Sequence, residues 1–231
     1  MSLSDRFASW FGRQPTKAPI QGVRTATVVD HADPNGVGRV LIAFAGDPED
    51  GTRQWARTAT LMAGPDRGTW FIPDIGDEVL VAFEHGDPRY PVVVGSLWHG
   101  HARPPEQMGV ENGRRGVVTR SGARIMIDDT GDRSVVQVET GAGQRVTLDD
   151  GPPSTVTIAD GTGNTIVLDA SGVAVTSSSK VTITASAVTV TASQVALNCA
   201  MVDVAGVLKC DTMIANNVVA SSYTPGVGNT Q

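Results

Sequence analysis

The side chains of this sequence with the most chemical promise are His99 and His101, one residue apart. On extended backbone they would point the same way, and two imidazoles can begin a metal site. They are the weak metal candidates, because they follow the last strand of a domain in what reads as a polar connection. Two glycine doublets, Gly141-Ala142-Gly143 and Gly161-Thr162-Gly163, resemble phosphate-cradling loops. Neither has a third glycine or opens a helix, so both read as corners of a β-repeat. Asp128-Asp129 and Asp149-Asp150 suggest calcium-binding β-rolls, but those place Asp inside a Gly-rich turn, and here the acids follow a strand. The cysteines are two, Cys199 and Cys210, without zinc spacing or a disulfide framework. Cys199 runs in phase with Val195 and Leu197, and Cys210 with Leu208, so both read as small core residues, with inter-chain disulfides as the alternative. No Ser-His-Asp set or carboxylate pair stands out. The expectation is a protein with no catalytic residue and no cofactor.

The elements that carry these residues are set by a repeat. Val136-Gln137-Val138, Val146-Thr147-Leu148, Val156-Thr157-Ile158 and Ile166-Val167-Leu168 begin about ten residues apart. After Val173-Ala174-Val175 the step shortens to seven, through Val181-Thr182-Ile183, Val188-Thr189-Val190, Val195-Ala196-Leu197 and Val202-Asp203-Val204. Leu208-Lys209-Cys210 closes the series. Short repeats signal a stacked, quasi-one-dimensional architecture. A step of seven is also the coiled-coil period, but that seam wants Leu or Ile with flanking charges. These units are β-branched, alternate with period two and are separated by turn residues, so they read as strands. From Thr165 to Leu208 only Asp169, Lys180 and Asp203 are charged. The period leaves open whether one chain winds three faces or three chains supply one each.

Composition narrows the partners. A net charge of −6 over 231 residues, with a pI near 5.1, argues against nucleic acid. There is no bilayer-length apolar run and no signal-peptide pattern, which suggests cytoplasmic synthesis. At the N-terminus Leu3, Phe7, Trp10 and Phe11 fall at helical spacing before Gly12 and Pro15. Such a stripe, with no core of its own to join, reads either as a disordered end or as a docking segment.

Residues 20–100 read as five strands. Gly22–Asp30, Gly38–Ala45, Arg53–Thr60, Glu78–His85 and Pro91–Trp98 are divided by turns at Asp33-Pro34-Asn35-Gly36 and Gly86-Asp87-Pro88. A long connection between the third and fourth suits a small Greek-key barrel of the OB type.

The same residues carry a resemblance. Trp55 and Arg57, Gly64, Pro73, the run Gly76-Asp77-Glu78, Gly86-Asp87-Pro88 and Gly95 resemble the core domain of the baseplate spike proteins. That family includes phage baseplate assembly protein V, central tail spikes and the type VI secretion spike known as valine-glycine repeat protein G. The resemblance covers roughly residues 22–105, and the β-repeat follows in the family's order. It implies an all-β chain: a five-stranded OB barrel, then an intertwined trimeric β-helix, or β-prism, acting as the needle of a contractile injection machine.

On that basis residues 1–19 are expected to be a docking segment, 20–100 the OB domain, 101–120 a linker, 121–215 the shaft and 216–231 the tip. The family's hub domains are not seen before the barrel, so the hub is expected to be a separate protein, met by Leu3, Phe7, Trp10 and Phe11. The shaft core is expected at Val181, Ile183, Val188, Val190, Val195, Leu197, Val202 and Val204, with every short strand pairing with other chains of a homotrimer. At about 4.8 Å per strand, the eleven units from Ile125 onward would make a shaft of roughly 50 Å. Pro225 and the glycines around it stop the stack, so Tyr223, Pro225 and Gly226 are expected to meet a small conical tip protein of the proline-alanine-alanine-arginine (PAAR) type. Contact with the target membrane would be transient. The rival reading is a β-helix tailspike enzyme acting on surface polysaccharide; after Trp98 the only aromatic residue is Tyr223, which leaves few sugar platforms.

Overall fold

A computed structural model describes residues 19–46, 51–107 and 109–222. Residues 1–18 and 223–231, including Leu3, Phe7, Trp10, Phe11, Tyr223, Pro225 and Gly226, lie outside the described residues. The chain divides into two units between Ser178 and Ser179.

In the first unit, β1 (Val23–Asp30), β2 (Val40–Phe44), β3 (Gln54–Thr58), β6 (Glu78–Phe83) and β7 (Pro91–Leu97) close into a barrel in the order β1-β2-β3-β7-β6. Two short strands, β4 (Ala63–Gly64) and β5 (Arg67–Gly68), form a separate hairpin in the connection between β3 and β6. All barrel pairs are antiparallel except β3 with β7. That long connection delivers the chain past β3 to β6, so β7 returns beside β3 in the parallel sense. Alternation then sorts the side chains: Val40 and Ile42 on β2, and Val79, Val81 and Phe83 on β6, point inward. With Ala26, Val28, Ala56 and Val93 they make the core, and Ile20, Phe44 and Ile72 pack against it.

Seven further strands follow: β8 (Arg114–Val118), β9 (Arg124–Asp128), β10 (Val135–Glu139), β11 (Arg145–Asp149), β12 (Thr155–Ala159), β13 (Thr165–Asp169) and β14 (Gly172–Thr176). They form one sheet in chain order, every neighbour antiparallel. This corrects the expectation that every short strand pairs with strands of other chains: β9 to β13 have both edges filled by their own chain. The turns explain it. Three five-residue connections, 119–123, 140–144 and 160–164, each place glycine fourth, and Gly122, Gly143 and Gly163 take φ of 82°, 89° and 95°. Left-handed backbone there closes a tight hairpin at little steric cost. The glycine doublets are thus hairpin turns of one sheet rather than corners of a winding chain. The first strand, β8, also begins inside the stretch read as a linker.

In the second unit no residue among those described forms a strand within the chain, and each is exposed. Its seven-residue units are joined by Ala185-Ser186-Ala187 and Ala192-Ser193-Gln194, and Gly206 is the sole glycine there with positive φ among the described residues. Without a left-handed glycine in these two linkers the units do not fold back as hairpins.

Candidate functional site

A broad unsatisfied surface belongs to the seven-stranded sheet. Because strand side chains alternate, the registers set two rows on one face. One row runs Val117, Ile125, Val138, Val146, Ile158, Ile166, Val175; the other runs Arg115, Ile127, Val136, Leu148, Val156, Leu168, Val173. Thirteen of these fourteen positions are Val, Ile or Leu. Most are more than a third exposed, from 37% at Val146 and Ile166 to 67% at Val173. An apolar area of this extent on a single chain marks an interface.

The opposite face is mainly polar and internally paired, with Val118, Met126, Val135 and Val167 set among its polar side chains. Gln137 Nε2 donates to Glu139 Oε2 at 2.9 Å, and Arg124 lies 3.7 Å from the same carboxylate. Arg114 Nε donates to Asp128 at 2.8 Å and its Nη1 to Glu106 at 3.2 Å. Bonds from Thr130, reinforced by Arg114, hold the Asp128 carboxyl down to a pKa of about 2. Asp149 accepts from the Gly151 amide at 2.9 Å and Asp150 from the Ser134 amide at 2.5 Å. The acids after the strands are therefore turn caps. Asp160 accepts from the amides of Thr162 and Asn164 and from both their side chains, which lowers its pKa well below the usual carboxylate range. Asn164 Oδ1 in turn accepts from Ser177 Oγ at 2.9 Å and the Ser178 amide at 3.2 Å, fixing where the sheet ends.

In the second unit Val181, Ile183, Val188, Val190, Val195, Leu197, Val202 and Val204 are all exposed, from 48% at Val204 to 74% at Ile183. Cys199 and Cys210 are free and exposed in the chain alone. His99 and His101 sit in a tight turn in which His99 and Ala102 exchange backbone bonds. Their ring centroids are 6.3 Å apart, edge to face. No group of three His, Cys, Asp or Glu among the described residues could hold a metal ion.

The barrel motif residues prove to be turn and clasp chemistry. Gly76, at φ 97°, donates its amide to Val28 O at 2.8 Å, and Asp77 Oδ2 caps the Asp74 amide at 2.9 Å. Glu78 opens β6, opposite Leu97 and Thr27. Gly86, at φ 75°, accepts from the Ile20 amide at 2.8 Å, and a Cβ there would meet Ile20 O at 3.1 Å. Asp87 is forked by Arg89 at 3.0 and 2.6 Å, which holds its pKa at about 2. Pro88 completes that turn and is half-buried, Gly95 lies in β7, Pro73 is buried, and Gly64 is in the β4–β5 hairpin. Arg57 on β3 pairs with Glu84, and Trp55 receives Arg39 over its ring at 5.7 Å. Sequence reading missed the partner of that cation: Arg39 forks back to Asp33, whose side chain is 4% exposed. The turn signal at Asp33-Pro34-Asn35-Gly36 was visible, but not the return of an arginine six residues on.

Residues 24–98 match a family model described as the type VI secretion system/phage-baseplate injector OB domain. Residues 134–209 match one described as the phage baseplate V C-terminal trimerisation domain. Together the two matches cover well over half of the chain. The type VI secretion system spike protein VgrG5 of Pseudomonas aeruginosa is 36% identical over 107 residues, 42% of this chain and 14% of that protein. The spike protein VgrG3 of Vibrio cholerae is 31% identical over 113 residues, 46% of this chain and 11% of that protein. The actin cross-linking toxin VgrG1 of Vibrio cholerae is 36% identical over 115 residues, 45% of this chain and 10% of that protein. The chain thus spans between 10% and 14% of the length of these three relatives.

Proposed function

The chain belongs to the family of phage baseplate V and VgrG-like spike proteins, and we propose that it is the trimeric central spike of a contractile injection machine. The observation that carries this reading is the apolar face of β8 to β14. Three such faces, turned toward a common threefold axis, form a prism whose polar faces look outward. The match of residues 134–209 to a trimerisation domain supports the same arrangement. Beyond Ser178 the exposed valines from Val181 to Val204 are likewise covered by other chains, and there the strands pair only between chains. The spike's role is mechanical: driven by sheath contraction, it pierces the target envelope, touching the membrane only in passing. Relatives whose names describe them as spike proteins support a structural rather than a catalytic part. A separate hub protein meets the N-terminal segment through Leu3, Phe7, Trp10 and Phe11. A PAAR-type tip protein covers the open end at Tyr223, Pro225 and Gly226. Light scattering of the full chain tests the central point: the mass should be three times 24.1 kDa, and a stable, well-folded monomer would overturn the reading.

A further inference from the structure

We propose that the hairpin arm of residues 60–69, with Trp70 and Phe71 at its base, docks on a neighbouring copy of this chain. Its two strands, β4 and β5, form a sheet of their own outside the barrel. A lone two-stranded hairpin is marginal in water, yet this one has a definite shape. Thr69 donates its amide to Met62 O at 2.9 Å, Thr60 Oγ1 donates to Thr69 O at 2.8 Å, and a Cβ on Gly68 would stand 2.7 Å from Met62 O. Among the described residues its apolar side chains stand largely uncovered: Leu61 is 95% exposed, Trp70 77% and Phe71 66%. The next residues turn inward, Ile72 onto the barrel core and Pro73 into full burial, so the segment is anchored while its aromatic residues face out.

The occupant follows from where the arm returns. Asp74, just past Pro73, pairs with Arg120 at 2.5 Å in the turn between β8 and β9. Those two strands carry Val117 and Ile125, the first members of the apolar face. The arm is therefore continuous with the proposed threefold interface, and a second copy is the body that lies alongside. Ile20 bonds Gly86 at the opposite end of β1 and β6, away from the arm. This inference rests on the trimer reading.

Hydrogen exchange on the full-length protein tests it. Amides of residues 60–69 should exchange about tenfold slower in the wild-type trimer than in an Ile158→Asp variant that runs as a monomer. A full-length Leu61→Asp/Trp70→Ala double variant, which leaves the barrel core intact, should lose that protection and melt at lower temperature; this comparison needs no monomeric reference. A trimer whose arm exchanges as fast as that of the double variant, with unchanged melting, overturns the docking while leaving the trimer standing. Protection that appears only after a hub protein is added also overturns it. A monomeric wild type overturns both.

Discussion

Arg39 sits between Asp33 and the ring of Trp55, so one cation closes the β1–β2 turn and caps β3. The bonds from Arg39 hold the Asp33 carboxyl far below its ordinary range. A carboxylate whose folded pKa is depressed adds stability that is complete above its unfolded pKa, about 4, and is lost as pH falls toward the folded value. Asp87 and Asp128, each near 2, act in the same direction. The melting temperature should therefore fall between about pH 4 and pH 2, and Asp33→Asn should melt lower at neutral pH but show a shallower acid slope; an unchanged slope would show that this pair is not linked to folding. Thr58 presents the converse case. Its Oγ1 is buried with no hydrogen-bond partner among the described residues, and an unmatched buried hydroxyl costs about 1–3 kcal/mol. Thr58→Val should hold or raise stability by up to about 1 kcal/mol in denaturant unfolding, and a clear loss would mean the hydroxyl is bonded in solution.

Strands and turns obey simpler rules, and much of that level was legible. The five barrel strands were readable from their alternation and from the glycine and proline turns, because each buries one face in a closed barrel. The hairpin arm was not: Thr60–Thr69 has no apolar alternation, and its shape comes from backbone contacts such as Gly68 against Met62. The repeat was legible as strands up to Val175, but beyond Ser178 the same Val-x-Val unit forms no strand within the chain. What separates the two stretches is the glycine at 122, 143 and 163, which the later units lack. Faces follow from register, and the matching test is a pair of substitutions on adjacent residues. Ile158→Asp would set three carboxylates against one another on the apolar face, and each buried unpaired ion costs several kcal/mol. Thr157→Asp, on the polar face, should change stability by no more than about 0.5 kcal/mol. Equal shifts in melting temperature and in mass would mean the assignment of faces is wrong.

For the whole molecule, ends and middle have separate duties. Deleting residues 1–13 should leave the trimer's mass and melting unchanged while abolishing capture by the hub protein; undiminished capture would remove the aromatic segment from the docking role. The middle has a directional property rooted in the meander from β8 to β14. In antiparallel pairs the backbone bonds lie perpendicular to the strands, so here they run along the stacking direction. A push along that direction presses neighbouring ladders together. A pull on the two ends loads the outermost ladder alone, and the hairpins open one after another, as a zipper does. Single-molecule pulling from the ends of an isolated chain should therefore release the sheet in small low-force steps, whereas a single high-force rupture would mean the strands are loaded in shear. Such a body withstands thrust far better than retraction, as the proposed spike role requires.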